Sequence, residues 1–107
     1  MAFSRKKVSS YRWPVTVFVP ADGGTHDKQT LDVVFKRIPR TELENVKDNV
    51  SLLEKVITGW FGYTDEADKE IPFSAQALKE LLEDTSFVPA AAKAYWESLQ
   101  GGAQAGN

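Results

Sequence analysis

Asp65, Glu66, Asp68 and Glu70 form the densest run of carboxylates in the 107-residue chain. Calcium needs oxygen ligands at alternating positions around a tight glycine turn. No glycine stands at that place here, and Ile71-Pro72 occupies the stretch where ligands would continue. The spacing therefore reads as a solvated acidic loop, and nothing singles out two of these carboxylates as a glycosidase-type acid/base pair. His26, the one histidine, lies between Thr25 and Asp27 in a polar stretch with no nucleophile beside it. One imidazole cannot build a histidine metal cage, and the absence of cysteine removes thiolate ligands, thiolate nucleophiles and disulfides. Gly23-Gly24 lacks the Gly-Lys-Ser/Thr continuation of a phosphate loop. No catalytic, cofactor-binding or metal-ligating residue is assigned, and the chain is expected not to be an enzyme and to need no cofactor.

The aromatic side chains offer a different chemistry. Trp60, Phe61 and Tyr63 lie within four residues, and Phe73 and Trp96 follow. A small domain needs large side chains for its core, and Trp and Tyr are also favoured anchors of protein interfaces. These five residues are the candidate partner-binding set, with core and interface roles both open for each. Arg5, Lys6, Lys7 and Arg12 could touch a charged partner, but three or four cations give only modest, salt-sensitive attraction. The formal net charge of −2 argues against nucleic acid as the main partner. The charge is unevenly placed: residues 1–40 carry +5 and residues 41–107 carry −7. The two halves attract each other, or each attracts a partner of opposite sign. No run of about 18 apolar residues is present, so no membrane-spanning segment is expected, and no apolar stretch follows the first cations as in a signal peptide.

These residues need elements to hold them. Residues 1–10 read as a flexible basic arm, 11–100 as a single domain and 101–107 as a disordered tail. Tyr11, Trp13, Val15, Val17 and Val19 alternate with Arg12, Pro14, Thr16, Phe18 and Pro20, a period of two that predicts a strand. Its prolines suit a sheet edge. A second strand is predicted from Thr30 to Ile38, with Leu31, Val33 and Phe35 on one face. The two pair as an antiparallel hairpin over about 11–38, across a loop of roughly ten residues that includes the Asp22-Gly23-Gly24 turn signal. Thr41-Glu42-Leu43-Glu44 reads as a capping box opening a helix over 41–58, with Leu43, Val46, Val50, Leu53 and Ile57 as its stripe and Gly59 as its stop. A second helix is predicted over 75–84, N-capped by Ser74 with Leu78, Leu81 and Leu82 on one face. A third is predicted over 89–100, with Pro89 in its first turn and Ala92, Tyr95, Trp96 and Leu99 as its inner stripe. The fold class is α+β: a hairpin followed by three helices.

Trp13-Pro14-Val15-Thr16-Val17-Phe18-Val19-Pro20, the Asp22-Gly23-Gly24 turn, Leu31 to Ile38 and Thr41-Glu42-Leu43 together resemble the beginning of phage tail assembly chaperones. Thr58-Gly59-Trp60, the acidic loop, Ile71-Pro72-Phe73-Ser74, Ala77 to Leu82 and Ala94-Tyr95-Trp96-Glu97 continue the resemblance. It covers roughly residues 11–100. It implies a small protein of a long-tailed phage or prophage that binds and solubilises the tape measure protein, helps recruit tail tube subunits and leaves before the virion is complete. It places the chain in the host cytoplasm and brings no catalytic residue with it. Self-association through a strand edge or the stripe on residues 43–57 is a linked expectation. The competing reading is a structural minor tail or tail-completion protein retained in the virion.

Overall fold

Alternation along Tyr11–Val19 sends one set of side chains to the inside and the other to solvent, and it produces the first strand of a three-stranded antiparallel sheet. The computed structural model describes residues 10–100. β1 (Ser10–Ala21) pairs with β2 (Thr25–Lys36), and β2 pairs with β3 (Ile57–Phe61), giving the order β1-β2-β3. Tyr11 faces Phe35, Trp13 faces Val33 and Val15 faces Leu31, so the apolar sets of both strands share one side of the sheet. β1 is an edge strand, the place in a sheet where prolines such as Pro14 and Pro20 are tolerated. The predicted basic arm and disordered tail lie outside the described residues, except that Ser10 opens β1.

The hairpin departs from expectation in its loop. Ala21 already faces Thr25, leaving Asp22-Gly23-Gly24 as the whole connection. Gly23 and Gly24 hold φ of 83° and 79°, which L side chains rarely adopt, and this lets so short a turn close. Residues 25–29, ahead of the predicted start at Thr30, gave no strand signal because every one of them is exposed, so no face required an apolar residue. His26 accordingly stands on a strand opposite Pro20, not in a loop.

The predicted long helix over 41–58 is replaced by three elements. α1 (Arg40–Glu44) is N-capped by Pro39 with no side-chain cap bond, so Thr41 lies inside the helix and the capping box does not form. The chain then breaks, and Asp48 Oδ1 accepts from the Ser51 amide at 2.8 Å to start α2 (Asn49–Val56). This local side-chain bond competes with helix continuation and wins at residues 45–48. Hydrogen bonding to Ser51 holds the Asp48 carboxyl below its usual range. From Ile57 the chain is extended, and Gly59 faces Val34 in β3 instead of stopping a helix. The β-branched Ile57-Thr58 and the aromatic Trp60-Phe61 suit a pleated surface better than a helix.

The remaining helices are close to expectation. α3 (Ala75–Leu81) begins with Ser74 Oγ accepting from the Ala77 amide at 3.0 Å, and Leu78, Leu81 and Leu82 are buried. α4 (Phe87–Leu99) carries Pro89 in its first turn. Asp84 Oδ1 accepts from the amides of Ser86 and Phe87 at 2.7 and 3.1 Å and anchors its start. The inner stripe of α4 is Phe87, Ala91, Ala94 and Tyr95, with Ala92 also buried. Trp96 and Leu99, predicted to face inward, are exposed, because the face of α4 turned to the core is the one carrying Phe87, Ala91, Ala94 and Tyr95. The core joins both layers: Val15, Val33 and Phe35 of the sheet meet Leu52, Leu53 and Val56 of α2 and Tyr95 of α4, all of them under 2% exposed. No helix among the described residues is long and apolar enough to cross a membrane.

Candidate partner-binding surface

β3 is the second edge of the sheet, and it carries Trp60 and Phe61 to opposite faces. Trp60 turns inward and is 6% exposed. Its ring meets Tyr63 and Phe73 edge-on, with centroids 5.1 and 4.8 Å apart. Its indole Nε1–H donates to the Ile71 carbonyl at 2.8 Å. An aromatic body in the core with its polar tip satisfied is the ordinary way to bury Trp.

The acidic segment that follows is a small hairpin of its own. The Ile71 amide donates to the Tyr63 carbonyl at 2.8 Å, the Asp65 amide donates to the Lys69 carbonyl at 2.9 Å, and Thr64 bridges Glu70. Asp65 Oδ1 accepts from the amides of Ala67 and Lys69, and Glu70 Oε1 accepts from the Gly62 amide at 2.8 Å. Asp68 takes φ of 62°, a left-handed conformation that aspartate tolerates in turns. Two of the run's carboxylates therefore satisfy backbone amides and shape the turn.

This hairpin brings Ile71, Pro72 and Phe73 back beside β3. With Trp60, Phe61 and Glu70 they line a shallow hollow of about 360 Å³ along the sheet edge. Phe61 is 47% exposed and Phe73 37% exposed on its rim. On the outer face of the sheet the Arg12 guanidinium lies 4.1 Å from the Phe61 ring centroid. Arg12 Nε also donates to Asp32 at 2.8 Å, and Asp32 is the residue facing Phe61 across the β2–β3 ladder. The arginine is thus held by a carboxylate and by the ring at once, and it fixes the orientation of Phe61. Tyr63 is half-buried behind the hollow, and burial, Asp84 and Glu80 push its hydroxyl up from the usual range.

The fold brings Trp60, Phe61, Tyr63 and Phe73 together from one strand and one hairpin. Trp60 supports the surface from below and presents almost none of itself. Trp96 does not line the hollow; it stands on α4, edge-on to Tyr95 at 5.8 Å, and is 43% exposed. Sequence reasoning missed Phe18, at 57% the most exposed large apolar side chain among the described residues, and Arg12 as the partner of Phe61. The signal for Phe18 was present, since the alternation of β1 sets it with the prolines on the outer face. No protein-family model matches the chain, and neither does any curated protein or solved structure.

Proposed function

We propose that this chain is a non-catalytic binding protein that shields apolar helical surface, and that it serves as a tail assembly chaperone of a long-tailed phage or prophage. The observation that carries the reading is the set of large apolar side chains left in solvent. Phe18, Phe61, Phe73, Trp96 and Leu99 are all at least 37% exposed. Phe61 and Phe73 share one hollow on a supported edge, where a partner's apolar side chain would cover both.

The magnitudes favour weak and repeated binding. Covering the open half of two phenylalanines removes roughly 200 Å² from water, which contributes about 5 kcal/mol. Association costs about 4–15 kcal/mol in lost freedom. One such contact barely holds, whereas several copies along one long client add without new chemistry and still come off. The client in this reading is the tape measure protein, a long helix with an apolar stripe. Copies of the chain then also lie near one another and near arriving tail tube subunits. The motif resemblance along residues 11–100 supplies the identity of the client; the exposed aromatics supply the mode of contact.

Co-expression with a tape measure protein tests the reading. Soluble client should rise several-fold with the chain and fall back with the Phe61→Ala/Phe73→Ala variant. An unchanged soluble yield would overturn it. Mass spectrometry of purified particles separates the chaperone, which should be absent, from a structural tail component, which would be retained.

A further inference from the structure

A second groove lies on the helix side of the sheet, toward the hairpin tip. It measures about 530 Å³, the size of a cleft that takes large side chains. Val19 and Tyr63, both half-buried, are the open part of its apolar lining, above Val17, Leu31, Leu81 and Phe87, which are at most 9% exposed. It exists because the hairpin outruns the helices: β2 is exposed throughout residues 25–30, and Leu31 is its first buried residue. Among the described residues the rim is charged with a single sign: Asp65, Glu66 and Asp84 line it, and no lysine, arginine or histidine does. Asp65 and Asp84 are fixed through Oδ1 by backbone amides, so their charges are held in place by the folds of the turn and of the α4 start. Glu66 has no hydrogen-bond partner among the described residues.

We propose that this groove receives an amphipathic helix whose apolar stripe is flanked by lysine or arginine. Val19 and Tyr63 meet the stripe, and the carboxylate rim selects the flanking charges. A stripe flanked by acids meets three like charges and is rejected, which gives the chain a preference among helices that apolar contact alone does not provide. The inference rests on the reading that the client is a helix, and it names the kind of helix.

Two synthetic amphipathic peptides of about 18 residues, with identical leucine stripes and either lysine or glutamate flanks, test it against the full chain by fluorescence anisotropy. The lysine peptide should bind at least tenfold tighter than the glutamate peptide, and raising salt from about 50 mM to 500 mM should remove most of the difference. Glu66→Lys, at an exposed residue outside the core, should weaken the lysine peptide several-fold while leaving the thermal midpoint unchanged. Equal binding of the two peptides overturns the charge selection. Lysine-peptide binding that survives Glu66→Lys and is abolished by Phe61→Ala/Phe73→Ala moves the site to the β3 edge and overturns this groove, while the chaperone reading stands. Self-association of the chain that the lysine peptide competes away makes a second copy the occupant and likewise overturns it. If neither peptide binds but co-expressed client is still rescued, only this inference falls; if neither occurs, both fall.

Discussion

The Trp60 indole N–H donates to the Ile71 carbonyl at 2.8 Å and ties the edge strand to the returning arm of the acidic hairpin. Through this bond one buried side chain sets the spacing of the rim residues Phe61 and Phe73. Trp60→Phe keeps most of the ring but leaves the Ile71 carbonyl without its partner, at a cost of about 1–3 kcal/mol. Chemical denaturation should show that loss, and client binding should weaken as well, because the hollow loosens. A variant with unchanged stability and weakened binding would instead place Trp60 directly in the contact.

Phe61→Ala and Phe73→Ala should separate binding from stability. Both rings are partly in solvent; Phe61 gives up its Arg12 contact, an exposed cation–π pair of about 0.5–1 kcal/mol, and Phe73 gives up its edge-on contact with Trp60. The double variant should remain folded by circular dichroism, with a modest fall in thermal midpoint, and lose most client binding.

Gly59 and Gly24 should respond oppositely to alanine. A Cβ at Gly59 meets Val34 at 3.6 Å, an ordinary contact, and the position is an unstrained strand residue. Gly59→Ala should be neutral or stabilise by up to about 1 kcal/mol through the unfolded chain. Gly24 holds φ of 79° in the three-residue turn, so Gly24→Ala should destabilise by about 1 kcal/mol or more even though nothing stands within 4 Å. Paired urea melts read both. A strongly destabilising Gly59→Ala would contradict the β3 assignment.

Tyr95 is fully buried and its hydroxyl has no hydrogen-bond partner among the described residues. Burial, with a smaller contribution from Tyr11, pushes its ionisation up to about 12. The folded state therefore favours the neutral phenol, and that preference is complete below the ordinary tyrosine value near 10. It is lost as pH rises from about 10 to about 12, where unfolding lets the group ionise. Tyr95→Phe removes an unsatisfied polar group, so at pH 7 it should be as stable as the parent or up to about 1 kcal/mol more so. Its midpoint should fall less between pH 9 and pH 11 than the parent's. A Tyr95→Phe variant that is clearly less stable at pH 7 would show that the hydroxyl has a partner.

The legible part of the fold was the part with one covered face. Val15 and Val33 gave a period of two because the sheet buries one side; Ser74 marked a helix start by its own chemistry, and Pro89 marked a first turn, though α4 begins two residues earlier at Phe87. The distal half of β2 was silent because both its faces are wet. The stripe from Leu43 to Ile57 read as one helix because Leu43, Val46, Leu53 and Ile57 do pack in or against the core, but they reach it from two helices, the break between them and a strand, while Val50 stays exposed; Asp48 is the residue that divides the helices. The site was half legible. Clustering of Trp60, Phe61 and Tyr63 was visible in sequence, whereas the burial of Trp60 and the exposure of Phe61 follow from the register against Val33 and Asp32. Phe73 joins them only through the hairpin that Asp65 and Glu70 shape.

The most direct test of stoichiometric shielding is aggregation of the client itself. Denatured tape measure protein is diluted into buffer with increasing amounts of this chain and no nucleotide, and turbidity is followed. The account predicts that turbidity falls in proportion to added chain and vanishes at a fixed molar ratio of several copies per client, with Phe61→Ala/Phe73→Ala ineffective. Turbidity that is indifferent to the chain, or that a small fraction of one equivalent suppresses completely, would contradict it.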